Sequence, residues 1–338
     1  MRTGSVRIAG LSDGNKKLDT NTRLYYLCHL LLPGAPKPLE IETRAHAKIN
    51  LHLEVLNRRP DGYHNIFSLM TRVGLSDLLK LRCNLYWRSP VSLEVGLRVT
   101  GGSFARVIEK TPAGDNLITR AARIYCERAG LSGGIEVEIE KNIPAGAGLG
   151  GGSSDAAAVF TALNDLYRAF STEELLGLGA GLGADIPFCM TGGAAFCEGI
   201  GERISPVKCN LGFAVVIGFD GTHVNTAAAY RGLGRTTESM RTPGYIERKR
   251  NELARLCRQD LEIDNFDLLQ NDFEPLVVRD NPTIGELKSA LLHGGAVHAA
   301  MTGSGSAVFG LFTSRERAAE SADAVRSRGA WAHTCDFM

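Results

Sequence analysis

Residues 143–158 read IPAGAGLGGGSSDAAA, with glycine at 146, 148, 150, 151 and 152. Glycine loses more backbone entropy on folding than any other residue, so such a run persists only where side chains would obstruct something. Just upstream, GIEVEIEK (134–141) alternates, with Ile135, Val137 and Ile139 on one side, the period of a half-buried strand. Downstream, SSDAAAVFTALNDLYRAF reads as a helix, with Ser153 or Ser154 as the expected N-cap. The glycines therefore join a strand to a helix. In that setting backbone N–H groups and the helix dipole can receive phosphate oxygens.

Other readings of the loop fit less well. A flexible linker does not sit between an alternating strand and a capped helix. Gly146, Gly148 and Gly151 match the spacing G-x-G-x-x-G, but a dinucleotide fold needs a second strand with an acidic residue about twenty positions on. Here that distance falls on Asn164 and Asp165, inside the helix. No lysine follows the glycines as in a Walker A loop, and the HRD and DFG elements of protein kinases are missing from the sequence. What remains is a nucleoside triphosphate cradle of another type, with its cation supplied by Mg²⁺ or by a lysine on a different element.

The chain has 338 residues, more than one compact core needs, and two α+β domains with a cleft between them are expected at 41–206 and 207–338. A net charge of +1 gives no reason to expect nucleic acid or a membrane surface as partner. Eight cysteines are scattered without CxxC or zinc spacing, which points to free thiols in a reducing compartment, the cytoplasm. Residues 1–40 carry Arg2, Arg7, Lys16, Lys17 and Arg23 and the apolar run LYYLCHLLLP (24–33), too short to span a bilayer. Asp13 and Asp19 weaken a targeting reading, so a poorly ordered extension is expected, with plastid targeting as the alternative.

From Ile41 the chain becomes regular. In AKINLHLEV, Ile49, Leu51, Leu53 and Val55 alternate with Lys48, Asn50, His52 and Glu54, which places Lys48 and Asn50 together on the non-core face of a strand. DGYH (61–64) supplies a turn. Helices are expected from Asn116 to Gly130 and, with Ser171 and Glu174 as a capping box, over TEELLGLGAGLG. A hairpin is expected around CEGIGER. After residue 207 come the strand FAVVIGFD, a charged exposed helix GYIERKRNELARLCRQ, the helix PTIGELKSALLHGG, the pair of strands in HAAMTGSGSAVFGLF, one more helix and a last strand AWAHTCDF.

PAGAGLGGGSSDAA resembles the central motif of the GHMP kinases. AKINLHLEVLNRRPDGYHNIFSLM, LGADIPFCMTGGAAFCEGIGERI, NDFEPLV and MTGSGSAVFGLF are similar to the signatures of one family within them, the 4-diphosphocytidyl-2-C-methyl-D-erythritol kinases. The likeness runs from about residue 43 to the C-terminus. Thr302 departs from the commoner serine, and residues 1–40 have no counterpart. The resemblance implies a ribosomal-protein-S5-domain-2-like N-terminal domain, a ferredoxin-like C-terminal domain and a site in the cleft between them. It implies γ-phosphoryl transfer from ATP, with Mg²⁺, to the 2-hydroxyl of a cytidine diphosphate-linked methylerythritol, a step of the non-mevalonate isoprenoid route. The partner would be that small molecule, and the enzyme a monomer or homodimer.

Residue by residue, the resemblance assigns Asp185, in GADIPF, as the base and Lys48 as its partner. Without it, Asp185 is as well explained as a turn or helix cap and Lys48 as a solvated lysine. Pro144, Ala145, Gly146, Ala147, Gly148, Leu149, Gly150, Gly151, Gly152, Ser153 and Ser154 would hold ATP. Asn50 would meet the acceptor, Tyr63 and His64 the cytosine ring, and Tyr230 a second face of that ring. His52 is read as a packing or surface residue, and Gly303 to Ser306 as a tight turn facing the ligands. No metal-ligating residue is assigned.

Overall fold

The computed structural model describes residues 38–87, 92–112, 114–209, 211–238, 244–258 and 263–338. The expected extension lies, up to residue 37, outside the described residues.

Two long strands dominate the first half: β1 (Leu39–Arg58) and β2 (His64–Trp87), paired antiparallel across the DGYH turn. That turn closes with the Gly62 N–H on the Arg59 carbonyl and the Asp61 carboxylate accepting from the Tyr63 N–H. β1 begins at Leu39, two residues before the boundary expected from the sequence, because Leu39 and Glu40 already pair with Cys83 and Arg82. With β3 (Glu94–Gly101), β4 (Leu131–Glu140), β5 (Ala194–Gly199) and β6 (Arg203–Val207) they form a six-stranded sheet. Its order is β3-β4-β2-β5-β6, with β1 added on β2. A second, antiparallel sheet has the order β10-β7-β9-β8, from β7 (Ala214–Phe219), β8 (His298–Met301), β9 (Val308–Phe312) and β10 (Trp331–Asp336).

The first helices are α1 (Ala105–Lys110), α2 (Leu117–Ala129) and α3 (Gly151–Tyr167). In α2 the Asn116 side chain caps Ile118, and Gly130 ends the helix in the left-handed region at φ 70°. α3 buries Ala156, Ala157, Ala158, Val159, Phe160 and Leu163, and the small alanines let it approach neighbouring elements closely. α4 (Thr172–Leu182) carries the expected Ser171–Glu174 capping box, and the short α5 (Ile186–Thr191) follows it. The second sheet is flanked by α9 (Pro282–His293) and α10 (Arg315–Ser327), with α6 (Thr226–Gly232), α7 (Tyr245–Cys257) and α8 (Glu274–Asp280) between the sheets' strands in sequence.

Three local expectations are corrected. α3 starts earlier than Ser153: its cap is Gly150, at φ 69°, with no side-chain capping bond, so both serines lie inside the first turn. α7 is charged yet not free-standing, since Leu253, Leu256 and Cys257 are buried. β1 is not half-buried in its middle. Lys48, Asn50, His52 and Glu54 are as buried as the aliphatic residues between them. The cause is tertiary, because segments of the second half cover that face. Leu53 bridges Asn271, the Asn50 N–H donates to Thr302 Oγ1 at 2.9 Å, and the Val55 N–H donates to Asp272 Oδ2 at 2.8 Å.

Among the described residues no helix is long and apolar enough to cross a membrane. The seven described cysteines are free thiols. Burial pushes those of Cys83, Cys126, Cys189 and Cys197 up to about 12.

Candidate active site

Register shifts interrupt the β1–β2 ladder between His46 and Lys48 and again between Asn50 and His52. Bulges of this kind re-aim side chains and are common beside sites. Between the two shifts Lys48 and Asn50 stay on one face, and Lys48 Nζ donates to Asn50 Oδ1 at 2.7 Å. Past the second shift His52 turns elsewhere, to the Leu268 carbonyl and Glu54, and is fully buried. It is a packing residue. Asn50 is itself held by Ser68, whose Oγ accepts from Asn50 Nδ2 at 2.8 Å.

Asp185 occupies the N-cap position of α5, yet its side chain makes no capping bond. It faces Lys48, with Oδ2 3.4 Å from Nζ, and remains 31% exposed where Lys48 is 5% exposed. The capping alternative for Asp185 therefore fails, and so does the solvated alternative for Lys48. Arg72, on β2, fixes the C-terminal end of α5 by donating to the Cys189 carbonyl at 2.6 Å. Nothing in the sequence marked Arg72.

The glycine loop crosses over this pair. The Lys48 N–H donates to the Leu149 carbonyl at 3.0 Å. A Cβ on Gly150 would lie 3.0 Å from Lys48 Cγ, so the loop rests on the lysine stem. Gly148, at φ 79°, would overlap the Thr302 carbonyl oxygen with any Cβ, because here the loop crosses the turn between β8 and β9. That turn is tied down by Asn271 Nδ2, which donates to the Met301 and Gly303 carbonyls at 2.7 and 2.9 Å. Below the loop, Lys141 is buried between Asp77 and Asp155, at 2.6 Å from the latter, while Asp77 Oδ1 accepts from the backbone of Asn142 and Ile143. Burial pushes the Asp155 carboxyl up to about 8, Lys141 opposing and Asp77 adding to the rise. This cluster anchors the strand, the loop and α3 together, and Lys141 lies 64 positions from Asp77 and 14 from Asp155 in sequence, which kept the cluster out of sight there.

Lys48, Asn50, Gly146, Gly148, Gly150, Ser153, Asp185, Tyr230, Gly303 and Ser304 line one cavity of about 340 Å³. Of the remaining loop residues, Pro144, Ala147, Leu149, Gly151 and Ser154 are buried, and Ser154 Oγ donates to the Gly151 carbonyl. Ala145 and Gly152 do not line the cavity. Ser306 is also buried, its hydroxyl donating to the Thr222 carbonyl. A wider cavity of about 780 Å³ shares Ala184, Ile200, Thr226 and Tyr230 with the first and holds Tyr63 and His64. His64 is stacked on Tyr230, ring centroids 4.9 Å apart, whereas Tyr63 is 61% exposed. Burial and the Arg58 charge lower the His64 pKa, and burial, with the Asp185 charge, pushes Tyr230 up to about 12.

Known proteins share this arrangement of chain. Residues 116–193 match the GHMP kinases N terminal domain and residues 247–330 the GHMP kinases C terminal family. The 4-diphosphocytidyl-2-C-methyl-D-erythritol kinase of Citrifermentans bemidjiense is 38% identical over 294 residues, covering 86% of this chain and 96% of the relative. That of Prosthecochloris aestuarii is 38% identical, covering 84% and 94%. The chain belongs to the 4-diphosphocytidyl-2-C-methyl-D-erythritol kinase family. A crystal structure of a 4-(cytidine 5'-diphospho)-2C-methyl-D-erythritol kinase superposes with TM-score 0.68 at 36% identity, over 87% of this kinase and 99% of that chain. A homoserine kinase from Cytophaga hutchinsonii shares the fold at TM-score 0.65 and 20% identity, covering 91% and 99%. The kinase thus has the two-part GHMP architecture and is an ATP-dependent phosphotransferase.

Proposed function

We propose that this kinase phosphorylates the 2-hydroxyl of 4-diphosphocytidyl-2-C-methyl-D-erythritol, as the names of its relatives suggest. The observation that carries the reading is the Lys48–Asp185 pair in a cavity lined on one side by the glycine loop and continuous on the other with the Tyr63–His64–Tyr230 cavity. A hydroxyl is a weak nucleophile at neutral pH, so a positioned base and a cation near the transferring oxygens are what a protein can add.

In this reading Asp185 accepts the proton of the 2-hydroxyl. Lys48, itself oriented by Asn50, pairs with that carboxylate and stands beside the developing charge. The loop at Gly146, Gly148 and Gly150, with Ser153 in the first turn of α3, receives the triphosphate. Among the described residues no three His, Cys, Asp or Glu side chains form a metal cage. Mg²⁺ carried by phosphates needs only one or two protein oxygens, and the Ser153 hydroxyl, which lines the loop cavity, fits that demand. When bound, the ion would neutralise charge on the phosphate oxygens. The two domains are taken as 41–206 and 207–338, with the site between them. Buried free thiols favour a reducing, cytoplasmic location.

The test is ADP formation from ATP with the cytidyl polyol, homoserine or mevalonate as acceptor. Turnover with the first alone supports the proposal. Turnover with homoserine or mevalonate instead makes the protein a kinase of different specificity, and none with any acceptor points to a nucleotide-binding regulator.

A further inference from the structure

The 780 Å³ cavity is larger than one pyrimidine ring requires, and its wall is basic. Arg58, Arg231 and Arg235 line it together with Tyr63, His64 and Tyr230, and none of its lining residues is acidic. The three arginines come from separate places: the last residue of β1, the last turn of α6 and the loop after α6. The Arg58 N–H donates to the Thr236 carbonyl at 3.1 Å and so brings the end of β1 against that loop.

Their partners are few. Among the described residues neither Arg58 nor Arg231 forms an ion pair, and Arg235 uses Nη2 on Asp272 at 2.9 Å. Arg235 Nε is buried without a hydrogen-bond acceptor. Three guanidinium groups around one cavity, one holding an unmet buried donor, leave fork-shaped donors and positive charge ready for an anion.

The order of groups fixes where an anion would fall. Lys48 touches Asp185, and Tyr230 lines both cavities and stacks on His64. A ligand with its hydroxyl at Asp185 and its base at the aromatic rings would carry its linking group through the cavity that the three arginines also line. We infer that Arg58, Arg231 and Arg235 bind the diphosphate of a nucleoside diphosphate-linked polyol and select it over the free nucleoside. The inference rests on the cytidyl reading above and deepens it, assigning recognition of the phosphates to these three side chains. They act on substrate binding, while Lys48 and Asp185 act on transfer.

The experiment is calorimetric titration of the full chain with CDP and with cytidine, the glycine loop first saturated with a non-hydrolysable ATP analogue. Wild type should bind CDP at least about tenfold more tightly than cytidine, since one charge-assisted contact is enough for that ratio. In Arg58→Ala/Arg231→Ala the ratio should fall towards one while cytidine affinity holds within about twofold. These two side chains are exposed and unpaired, so the variant folds. Arg235→Lys keeps the charge and loses the fork, and should lower CDP affinity while sparing cytidine. The double variant should also raise KM for the cytidyl polyol with kcat and the KM for ATP retained. An unchanged CDP-to-cytidine ratio in the double variant, or equal wild-type affinities for the two, overturns the arginine assignment and leaves the cytidyl reading standing. If wild type binds neither, the cytidyl reading falls and takes this inference with it.

Discussion

Lys48 Nζ stands 3.4 Å from Asp185 Oδ2 and 2.7 Å from Asn50 Oδ1, on a strand covered from both sides. A buried ammonium with two such partners is fixed in place, and its charge is held beside the carboxylate. Asp185→Asn should therefore keep the fold and ligand affinities while kcat falls by ~10²–10⁴, since an amide cannot take the proton. Lys48→Ala should also lower kcat. The double variant should lose less than the sum of the single losses because the two groups act as a unit. Steady-state kinetics of the four proteins checks this, and full additivity would show two independent roles.

The loop crossing predicts that neighbouring glycines fail differently. Gly148→Ala combines a left-handed backbone with an overlap at the Thr302 carbonyl and should lower unfolding free energy by at least about 2 kcal/mol. Gly146→Ala has similar backbone strain at φ 67°, but the nearest atom to its Cβ is His223 Nδ1 at 3.3 Å. It should cost about 1 kcal/mol and act mainly by raising the KM for ATP, because position 146 lines the cavity. Urea unfolding and ATP titration separate the two.

The buried Lys141 cluster predicts both a large mutational effect and a pH dependence. Lys141→Met leaves Asp77 and Asp155 facing each other without a cation, a change that costs ~3–5 kcal/mol in buried pairs. Asp155 titrates near 8 in the folded chain against about 4 unfolded, so the folded state binds the extra proton between those values. The associated stability is complete below about pH 4 and is lost as the pH rises towards 8, with a slope of at most about 1.4 kcal/mol per pH unit. Urea unfolding between pH 5 and 8 should show stability falling for wild type and a flatter profile for Asp155→Asn.

Tyr63 is exposed and lines the same cavity as the stacked His64–Tyr230 pair. Base-on-aromatic stacking is worth ~1–3 kcal/mol, so Tyr63→Ala should raise the KM for the cytidyl polyol by about one to two decades. The KM for ATP should not move. A loss of ATP affinity instead would make Tyr63 part of the loop site.

Features whose partners lie close in the chain were legible in the sequence alone. The Ser171–Glu174 capping box spans three positions, the DGYH turn closes on itself, and the alternation at Ile135, Val137 and Ile139 reports one buried face. The glycine run was legible as a loop joining a strand to a helix, and the motifs named the family. The helix start was misplaced because serine is the common cap, whereas here the close approach of Lys48 selected Gly150. Burial of Lys48 and Asn50, the Lys141 cluster, the Gly148–Thr302 crossing and the arginine wall came only with the tertiary structure. Thr302 lies 252 positions from Asn50, and Arg235 lies 37 from Asp272. No local period encodes such pairings, since each forms only when the second sheet's loops close over β1 and convert a polar strand face into the floor of a site.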